Sequence, residues 1–210
     1  MEDVIETYMR PLDDMNPVVC FDESPVQLLR EVRAPMPVAP GRPRREDYEY
    51  ERCGVSEVMM ISQPAAGLRK CLVTQHRKKP DFARVCKELD RMFPKAKKIT
   101  LVCDNLNTHT KGALYATFPA EEARRLAQKI DIKHTPKHGS WLNIAELEFA
   151  VLGRTVFKKR IADKEQLQRE LDAICAERNA EAVPVRWQFN LSKARAKMAW
   201  AYPKIDKESS

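Results

Sequence analysis

The sequence predicts an α/β protein with a mixed sheet that begins as three antiparallel strands, gains further strands and is flanked by helices. The first observation is that short apolar runs of strand type, broken by turn residues, fill the region between residues 17 and 75. The second is that apolar residues recur every three or four positions from residue 80 onward, in segments that alternate with short strands. The third is size: 210 residues, 43% hydrophobic and 32% charged, suffice to bury one core.

The first three strands are predicted at 17–21, 55–62 and 70–75. The first is a compact apolar run that ends in the acids Asp22 and Glu23. The second and third are separated by Pro-Ala-Ala-Gly at 64–67, which is turn chemistry and indicates an antiparallel hairpin. These strands together predict a meander.

The remaining elements alternate between helix and strand. The clearest strand is 99–103, a β-branched run that is followed directly by Asp104. The last major helix of the alternation, 140–157, has Ser140 as its predicted N-cap and carries Glu146 and Glu148. The apolar residues Ile144, Leu147, Val151 and Leu152 are predicted on one side of it. The other predicted elements are a short helix within 1–16, helices at 80–93, 119–130 and 164–179, a strand at 131–135 and a partly helical tail at 187–202.

Charge is distributed unevenly along the chain, whose formal net charge is +7. Residues 1–50 hold 6 Lys and Arg against 11 Asp and Glu, residues 51–150 hold 18 against 11, and residues 151–210 hold 13 against 8. The net charges are therefore −5, +7 and +5, so a polyanionic partner is expected to meet the middle and the end of the chain.

Several classes of protein are excluded by composition. No apolar run reaches the 18 residues that a membrane span needs, so no membrane partner is expected, and the acidic start has no signal-peptide pattern. The cytoplasm is therefore the predicted compartment. The six cysteines stand singly, without a C-x-x-C pair, and are interpreted as reduced core residues.

Acidic side chains provide the candidate chemistry. Asp22 and Asp104 follow predicted strands, and Glu146 or Glu148 lies on a late helix. Carboxylates that converge in this way are hard ligands for Mg²⁺ or Mn²⁺, and two such ions can promote phosphodiester cleavage. An Asp at a strand end is, however, most often a turn residue, and Glu23 is an alternative to Asp22. Periodicity does not decide between Glu146 and Glu148, which lie about 200° apart around a helix and cannot both face one site.

Two long motifs carry a family resemblance. They are Asp-Asn-Leu-Asn-Thr-His at 104–109 and Thr-Pro-Lys-His-Gly-Ser-Trp-Leu-Asn-Ile-Ala-Glu at 135–146. Together with Val-Val-Cys-Phe-Asp-Glu at 18–23, they resemble the DDE catalytic domain of mariner-type bacterial insertion-sequence transposases. The similarity continues through 40–43, 47–52, 177–179 and 187–189 and so covers nearly the whole chain.

The resemblance implies a ribonuclease H-like fold, with residues 1–160 as the DDE catalytic domain and 161–210 as a basic, helical extension packed on it. It implies that Asp22, Asp104 and Glu146 are the three catalytic acids and metal ligands. Glu146 is preferred to Glu148 because the third acid of the family follows a Leu-Asn pair by three residues, as it does here after Leu142-Asn143.

The implied reaction is metal-dependent DNA cleavage and strand transfer. Water attacks a phosphodiester at the transposon end, and the freed 3′-hydroxyl then attacks target DNA; two Mg²⁺ or Mn²⁺ ions are implied. Complete relatives carry helix-turn-helix modules before this domain, and the chain has none, so a truncated or split transposase is expected. The implied partners are DNA ends and target, a second copy of the chain, or a separately encoded helix-turn-helix part, in the cytoplasm at the bacterial nucleoid.

DNA contacts are expected from residues near the acids and from the basic C-terminal third. A phosphate contact is one interpretation of the histidines and a structural role is the other; Trp141 is expected either to stack on a base or to anchor packing. A zinc pair from His134 and His138 is disfavoured because Pro136 opposes a helix there. The candidate DNA-binding residues are His109, Lys137, His138, Trp141, Arg154, Lys158, Lys159 and Arg160, with Lys193, Arg195, Lys197 and the loop arginines Arg42, Arg44 and Arg45 as further candidates.

Three hypotheses follow. The chain is a DDE endonuclease and strand transferase that needs a DNA-binding part, or it is a catalytically silent remnant that binds DNA or oligomerises with a full-length transposase. The third is a general ribonuclease H-like nuclease that acts on RNA/DNA hybrids or branched DNA. Loss of a metal-dependent activity on substitution of Asp104 separates the first two.

Overall fold

A computed structural model of the protein describes residues 1–33, 41, 48–137 and 139–199. The loop arginines Arg42, Arg44 and Arg45, and also His138, lie outside the described residues. The strands are β1 (Val18–Glu31), β2 (Tyr50–Gln63), β3 (Leu68–Thr74), β4 (Ile99–Cys103) and β5 (Ile130–His134). The helices are α1 (Glu2–Tyr8), α2 (Lys79–Met92), α3 (Lys111–Tyr115), α4 (Ala120–Lys129), α5 (Ala145–Thr155), α6 (Lys164–Glu181) and α7 (Leu191–Lys197), with 3-10 turns at Pro64–Ala66 and Ser140–Leu142.

The five strands form one mixed sheet in the order β3-β2-β1-β4-β5. β1, β2 and β3 are antiparallel neighbours, and β4 and β5 are added in parallel to β1. The predicted meander and mixed sheet are confirmed. Gly67 ends the hairpin turn at φ +64°, where a Cβ would lie 2.5 Å from the Val183 carbonyl oxygen, so glycine is required by both conformation and space.

β1 extends much further than predicted. Asp22 and Glu23 lie inside a 14-residue strand rather than at its end, because β1 pairs with β2 from Cys20 opposite Ser62 as far as Glu31 opposite Tyr50. Backbone pairing thus continues where the apolar pattern stops. β4 pairs with β1 only at Val18–Cys20, so beyond that point β2 is the one described strand beside β1. Pro25 lies in this edge portion, where the lack of an N–H is tolerated.

Alternating residues of β1 enter different cores. Val19 and Phe21 pack with Phe82 and the other apolar residues of α2, α3 and α4 on one face of the sheet. Cys20 packs on the opposite face with Leu152 of α5 and the apolar side of α6. The sheet is therefore covered by helices on both faces, and the strand period of two separates the neighbours Asp22 and Glu23 in the same way.

α6 covers the edge strand β3 through hydrogen bonds as well as apolar contacts. The Asn179 side chain bonds both the backbone N–H and the carbonyl of Arg69, each at 2.8 Å. Gln168 accepts from the N–H of Val73 at 2.7 Å and donates to the carbonyl of Cys71 at 3.0 Å. Exposed strand edges invite association with other chains, and these two amides satisfy part of this edge internally.

Five of the six cysteines are buried, Cys53 is half-buried, and all are free thiols, as predicted.

Candidate active site

Asp22 and Asp104 are brought together by the parallel register of β1 and β4. Val18, Val19 and Cys20 pair with Thr100, Leu101 and Val102. Asp22 lies two residues beyond the last pair on β1, and Asp104 lies two residues beyond it on β4. The two carboxylates therefore stand side by side where β4 ends and β1 continues.

Glu146 reaches the same place from α5, whose start is anchored to β1 by Asn143. The Asn143 Nδ2 donates to the Phe21 carbonyl at 2.7 Å, and its Oδ1 accepts from the Ala145 N–H at 3.3 Å. Asn143 is 2% exposed, so this clamp is shielded from water. Sequence reasoning used Asn143 only as part of a motif; its carbonyl partner, one residue before Asp22, explains how the third acid is placed.

The start of α5 differs from the prediction. Ser140 begins a 3-10 turn rather than capping the α-helix, which starts at Ala145 after Ile144 with no side-chain cap. Leu147, predicted on the buried side, is 48% exposed. The helix thus begins beside Asn143, whose side chain bonds to both β1 and the first helical residue, and not at a serine cap.

The pKa of Asp22 is affected by burial and by the other acids near it. Burial raises its pKa to about 7, and repulsion from Glu23, Asp104 and Glu146 adds to the effect, whereas the Glu23 N–H, 2.9 Å from Oδ1, acts in the opposite direction. No lysine or arginine within the described residues forms an ion pair with Asp22 or Glu146. Among the described residues, Asp22 and Glu146 are thus two carboxylates of the site without a lysine or arginine partner.

Glu148 occupies a different environment two residues further along α5. Its carboxylate is 2% exposed and lies 3.2 Å from Nε of Arg69, which is 3% exposed. Arg178 also donates to the Glu148 carboxylate and, through its carbonyl, accepts from Arg69 at 3.0 Å. Glu148 is consequently the acid of a buried ion cluster that joins α5, β3 and α6.

His109 is buried between two acids. Its side chain is 2% exposed, with Nδ1 2.7 Å from Oδ1 of Asp104 and Nε2 3.2 Å from Oε2 of Glu23. Burial alone would lower its pKa, but hydrogen bonds to Asp104, Cys103 and Glu23 raise it to about 12. The expected contact between His109 and a DNA phosphate is therefore corrected: the ring is enclosed by protein. The pairing with Glu23 is not apparent in the sequence, because no motif spacing reveals it.

The other candidate DNA-binding residues divide into exposed and ion-paired groups. Lys137, Trp141, Arg154 and Lys158 are exposed. Trp141 is 41% exposed and also packs edge-on against Phe189, at 5.3 Å between ring centroids. Two of the predicted residues have protein partners, since Lys159 pairs with Glu170 and Arg160 with Glu31, and Arg195 of the further candidates pairs with Glu2.

No ready-made metal cluster of three or more His, Cys, Asp or Glu occurs within the described residues. His134, a candidate for the disfavoured zinc pair, ends a strand instead of lying on a helix, and its Nδ1 contacts the Asp104 carbonyl oxygen at 3.1 Å.

Among the described helices, none combines the length and apolarity needed to cross a bilayer.

Comparison with known proteins identifies the family. A profile of the DDE superfamily endonuclease family matches residues 17–168. The chain belongs to this family. The family resemblance seen in the sequence is thereby confirmed at the level of the DDE superfamily, and the search of curated proteins gave no match.

Solved structures agree on the fold. The Mos1 strand transfer complex is similar with a TM-score of 0.51 and 16% identity over 83% of this chain and 51% of that one. The Mos1 mariner paired-end complex with Mn has a TM-score of 0.50 and 17% identity, and the match covers 86% of this chain and 55% of that one. The paired-end complex with Mg has a TM-score of 0.50 and 18% identity, and the match covers 93% of this chain and 61% of that one. The expected ribonuclease H-like α/β fold is confirmed. The chain spans about half to three-fifths of the length of these solved chains.

The carboxylates fit the divalent metal that DDE nucleases use. Oxygen ligands from a few carboxylates are what Mg²⁺ and Mn²⁺ prefer, and Asp22 and Glu146 carry no competing cation among the described residues. The pKa of Asp22 is raised first by burial and then by repulsion from the neighbouring acids, so its negative charge is disfavoured, and a bound cation would relieve this.

Proposed function

We propose that this chain is the catalytic domain of a transposase, which cleaves DNA at the ends of an insertion sequence and transfers the strand to a target, with Asp22, Asp104 and Glu146 as the metal ligands. The observation that carries the proposal is the convergence of these acids: the β1–β4 register brings Asp22 and Asp104 together, Asn143 ties the start of α5 to β1, and both Asp104 and Glu146 repel Asp22. Family membership over residues 17–168 supports the same chemistry.

In this proposal the three acids would hold two Mg²⁺ or Mn²⁺ ions. When bound, the metal supplies activation of the attacking oxygen and stabilisation of the leaving oxygen. Asp22 lies in β1, Asp104 directly follows β4, and Asn143 ties the start of the helix that bears Glu146 to β1, so the fold would bring the three ligands to one place. No side chain acts as a covalent nucleophile.

DNA would be held along the exposed basic residues Lys137, Arg154 and Lys158, with Trp141 available to stack on a base. We infer that Lys159 and Arg160 contribute less because their charges are paired with Glu170 and Glu31. The salt dependence of binding to a DNA duplex tests this division. For Lys158→Ala, the slope of log K against log salt should fall by about 0.9, as for one lost phosphate contact, and Lys159→Ala should leave it almost unchanged.

The expected partners are transposon ends, target DNA and either a second copy of the chain or a separate helix-turn-helix part, and the expected setting is the cytoplasm at the bacterial nucleoid. They follow from the family, because each transposition event must act on two ends. Sedimentation of the chain with and without an end-containing duplex would test the dimer.

Nicking of a supercoiled plasmid in Mg²⁺ or Mn²⁺ tests the chemistry without requiring a known end sequence. Asp104→Asn should reduce the rate by about a hundredfold or more, because a metal ligand that stabilises transition-state charge is worth several kcal/mol. The matched control is Asp90→Asn, which removes a carboxylate that pairs with Arg125 and Lys129 away from the site.

Three outcomes decide between the hypotheses. Nicking by the wild type and by Asp90→Asn, but not by Asp104→Asn, supports a DDE endonuclease. A folded wild type that neither nicks DNA nor binds metal favours the silent remnant. Preferential cleavage of RNA/DNA hybrids or branched DNA would favour a general ribonuclease H-like nuclease instead.

A further inference from the structure

The ring of His109 packs against the core formed between the sheet and helices α2, α3 and α4. It packs edge-on against Phe21, with centroids 5.2 Å apart, and more nearly parallel to Phe82, at 4.8 Å. These two aromatic contacts fix the plane of the imidazole. Both ring nitrogens can then be directed only at the groups that lie in this plane.

Those groups are the carboxylates of Asp104 and Glu23, and the backbone carbonyl of Asp104, whose oxygen lies 3.2 Å from Nδ1. Nδ1 lies 2.7 Å from Oδ1 of Asp104, and Nε2 lies 3.2 Å from Oε2 of Glu23. Ionised carboxylates only accept hydrogen bonds, so an imidazole between two of them is satisfied when both nitrogens carry protons. The three side chains form a continuous chain of charges from β1 to the end of β4.

The Glu23 carboxylate has no ion-pair partner other than His109 among the described residues. It is 4% exposed, and neither of its oxygens has a hydrogen-bond partner beyond this close contact with His109. Because residues alternate along β1, Glu23 faces the core of α2 and His109, on the opposite side from Asp22. Glu23 is thus placed to hold His109 and not to enter the acid cluster directly.

Asp104 presents its two oxygens to different surroundings. Oδ1 is buried against His109, whereas the side chain as a whole remains 34% exposed. Fixing Oδ1 prevents rotation of the carboxylate and leaves Oδ2 as the accessible oxygen. A buried charged triad adds little net stability compared with apolar packing, so stability alone does not account for its presence.

We propose that His109, held in place by Glu23, is a positioning residue that orients the Asp104 carboxylate for metal binding. The inference rests on the proposed function, since it assigns Asp104 as a ligand. Groups that orient a metal ligand typically change metal affinity by 10- to 100-fold when they are removed. His109 would act in this way without contacting DNA or metal.

Two substitutions of similar size separate positioning from simple packing. His109→Asn retains an amide N–H near the place of Nδ1 and so keeps the bond to Asp104. His109→Gln retains one near the place of Nε2 and keeps only the contact with Glu23. Titration of Mn²⁺ by electron paramagnetic resonance on the metal-free full chain measures the affinity, and thermal unfolding without metal measures the stability.

The expected result is a Kd for Mn²⁺ that is 10- to 100-fold weaker in His109→Gln and within about threefold of wild type in His109→Asn, with similar losses of thermal stability in both. Glu23→Gln should weaken the affinity less, by about three- to tenfold, because the imidazole stays in place with one contact weakened. Asp90→Asn is the control for a broken ion pair elsewhere and should leave the affinity unchanged.

Different results would overturn the positioning role of His109 and the proposed metal-dependent function. Equal Mn²⁺ affinities in wild type and His109→Gln, or equal losses in the Gln and Asn variants, overturn the positioning role while the metal site stands. Absence of Mn²⁺ binding in folded wild type overturns both. If His109→Gln does not fold, the comparison of Glu23→Gln with wild type decides: an unchanged Kd overturns the role.

Discussion

Two glutamates of α5, two residues apart, have opposite environments. Glu148 is 2% exposed and neutralised by Arg69 and Arg178, whereas Glu146 is exposed and stands near Asp22 and Asp104. The ion cluster around Glu148 joins three elements of the fold, and the carboxylates around Glu146 repel one another. In the first arrangement each buried charge depends on its partner, and the second keeps negative charge available for a cation.

The largest expected effect comes from Glu148→Gln. It leaves the 3% exposed Arg69 without its charge partner, so unfolding free energy should fall by about 3–5 kcal/mol, as for other broken buried pairs. Denaturant unfolding followed by circular dichroism measures it. Glu146→Gln is the matched change two residues away and should stay within about 0.5 kcal/mol of wild type. Equal losses of unfolding free energy in the two variants would contradict the proposed difference between Glu148 and Glu146.

The next largest effect is a gain of stability in Asp22→Asn. The unfolded-state pKa is near 3.8 and the folded-state pKa is about 7, so the unfolded chain loses its proton first and wild-type stability falls as the pH rises from about 4 to about 7. Asparagine removes this penalty, and the variant should be about 1–3 kcal/mol more stable than wild type at pH 8.

At pH 4 the gain of Asp22→Asn should largely disappear, because wild-type Asp22 is protonated in the folded state there. Denaturant unfolding curves of wild type and Asp22→Asn at pH 4 and pH 8 check the sign of the stability difference and the pH range over which it appears. A variant less stable than wild type at pH 8 contradicts the conclusion that folding raises the pKa of Asp22.

A smaller effect is expected from metal. At a free Mn²⁺ concentration ten times its Kd, binding should raise the unfolding free energy of the chain by about 1.4 kcal/mol. For a chain of this size, that corresponds to a rise in Tm of about 3–6 °C. Glu146→Gln should show little of this rise, and Lys159→Ala should show all of it. Differential scanning calorimetry with and without Mn²⁺ makes the comparison, and a full rise in Glu146→Gln would mean that another acid completes the site.

The smallest effect should come from breaking an exposed ion pair. Lys159, 50% exposed, pairs with Glu170 of α6, and Lys159→Ala should change unfolding free energy by less than about 1 kcal/mol. Addition of salt should shrink the difference further. A loss as large as that of Glu148→Gln would show that burial does not distinguish the two ion pairs.

Much of the fold could be predicted because local pattern and tertiary packing agree in most elements. β4 was predicted to the residue, and α2, α4 and β5 to within a residue or so at each end, since each combines a clear period with turn or cap residues. The five-residue helix α3 was not predicted, because so short a segment has no measurable period. β1 was predicted too short, because its second half is held by pairing with β2 and not by an apolar pattern.

Long motifs and short-range periodicity are properties of neighbouring residues, and they suffice to predict the family, the mixed sheet and the three acids proposed as ligands. The partners of single side chains are set by the tertiary structure. It placed Glu148 between Arg69 and Arg178, His109 between Asp104 and Glu23, and Asn143 on the Phe21 carbonyl. Most of these contacts join residues far apart in the chain, and their geometry depends on strand register and helix rotation, which no local spacing records.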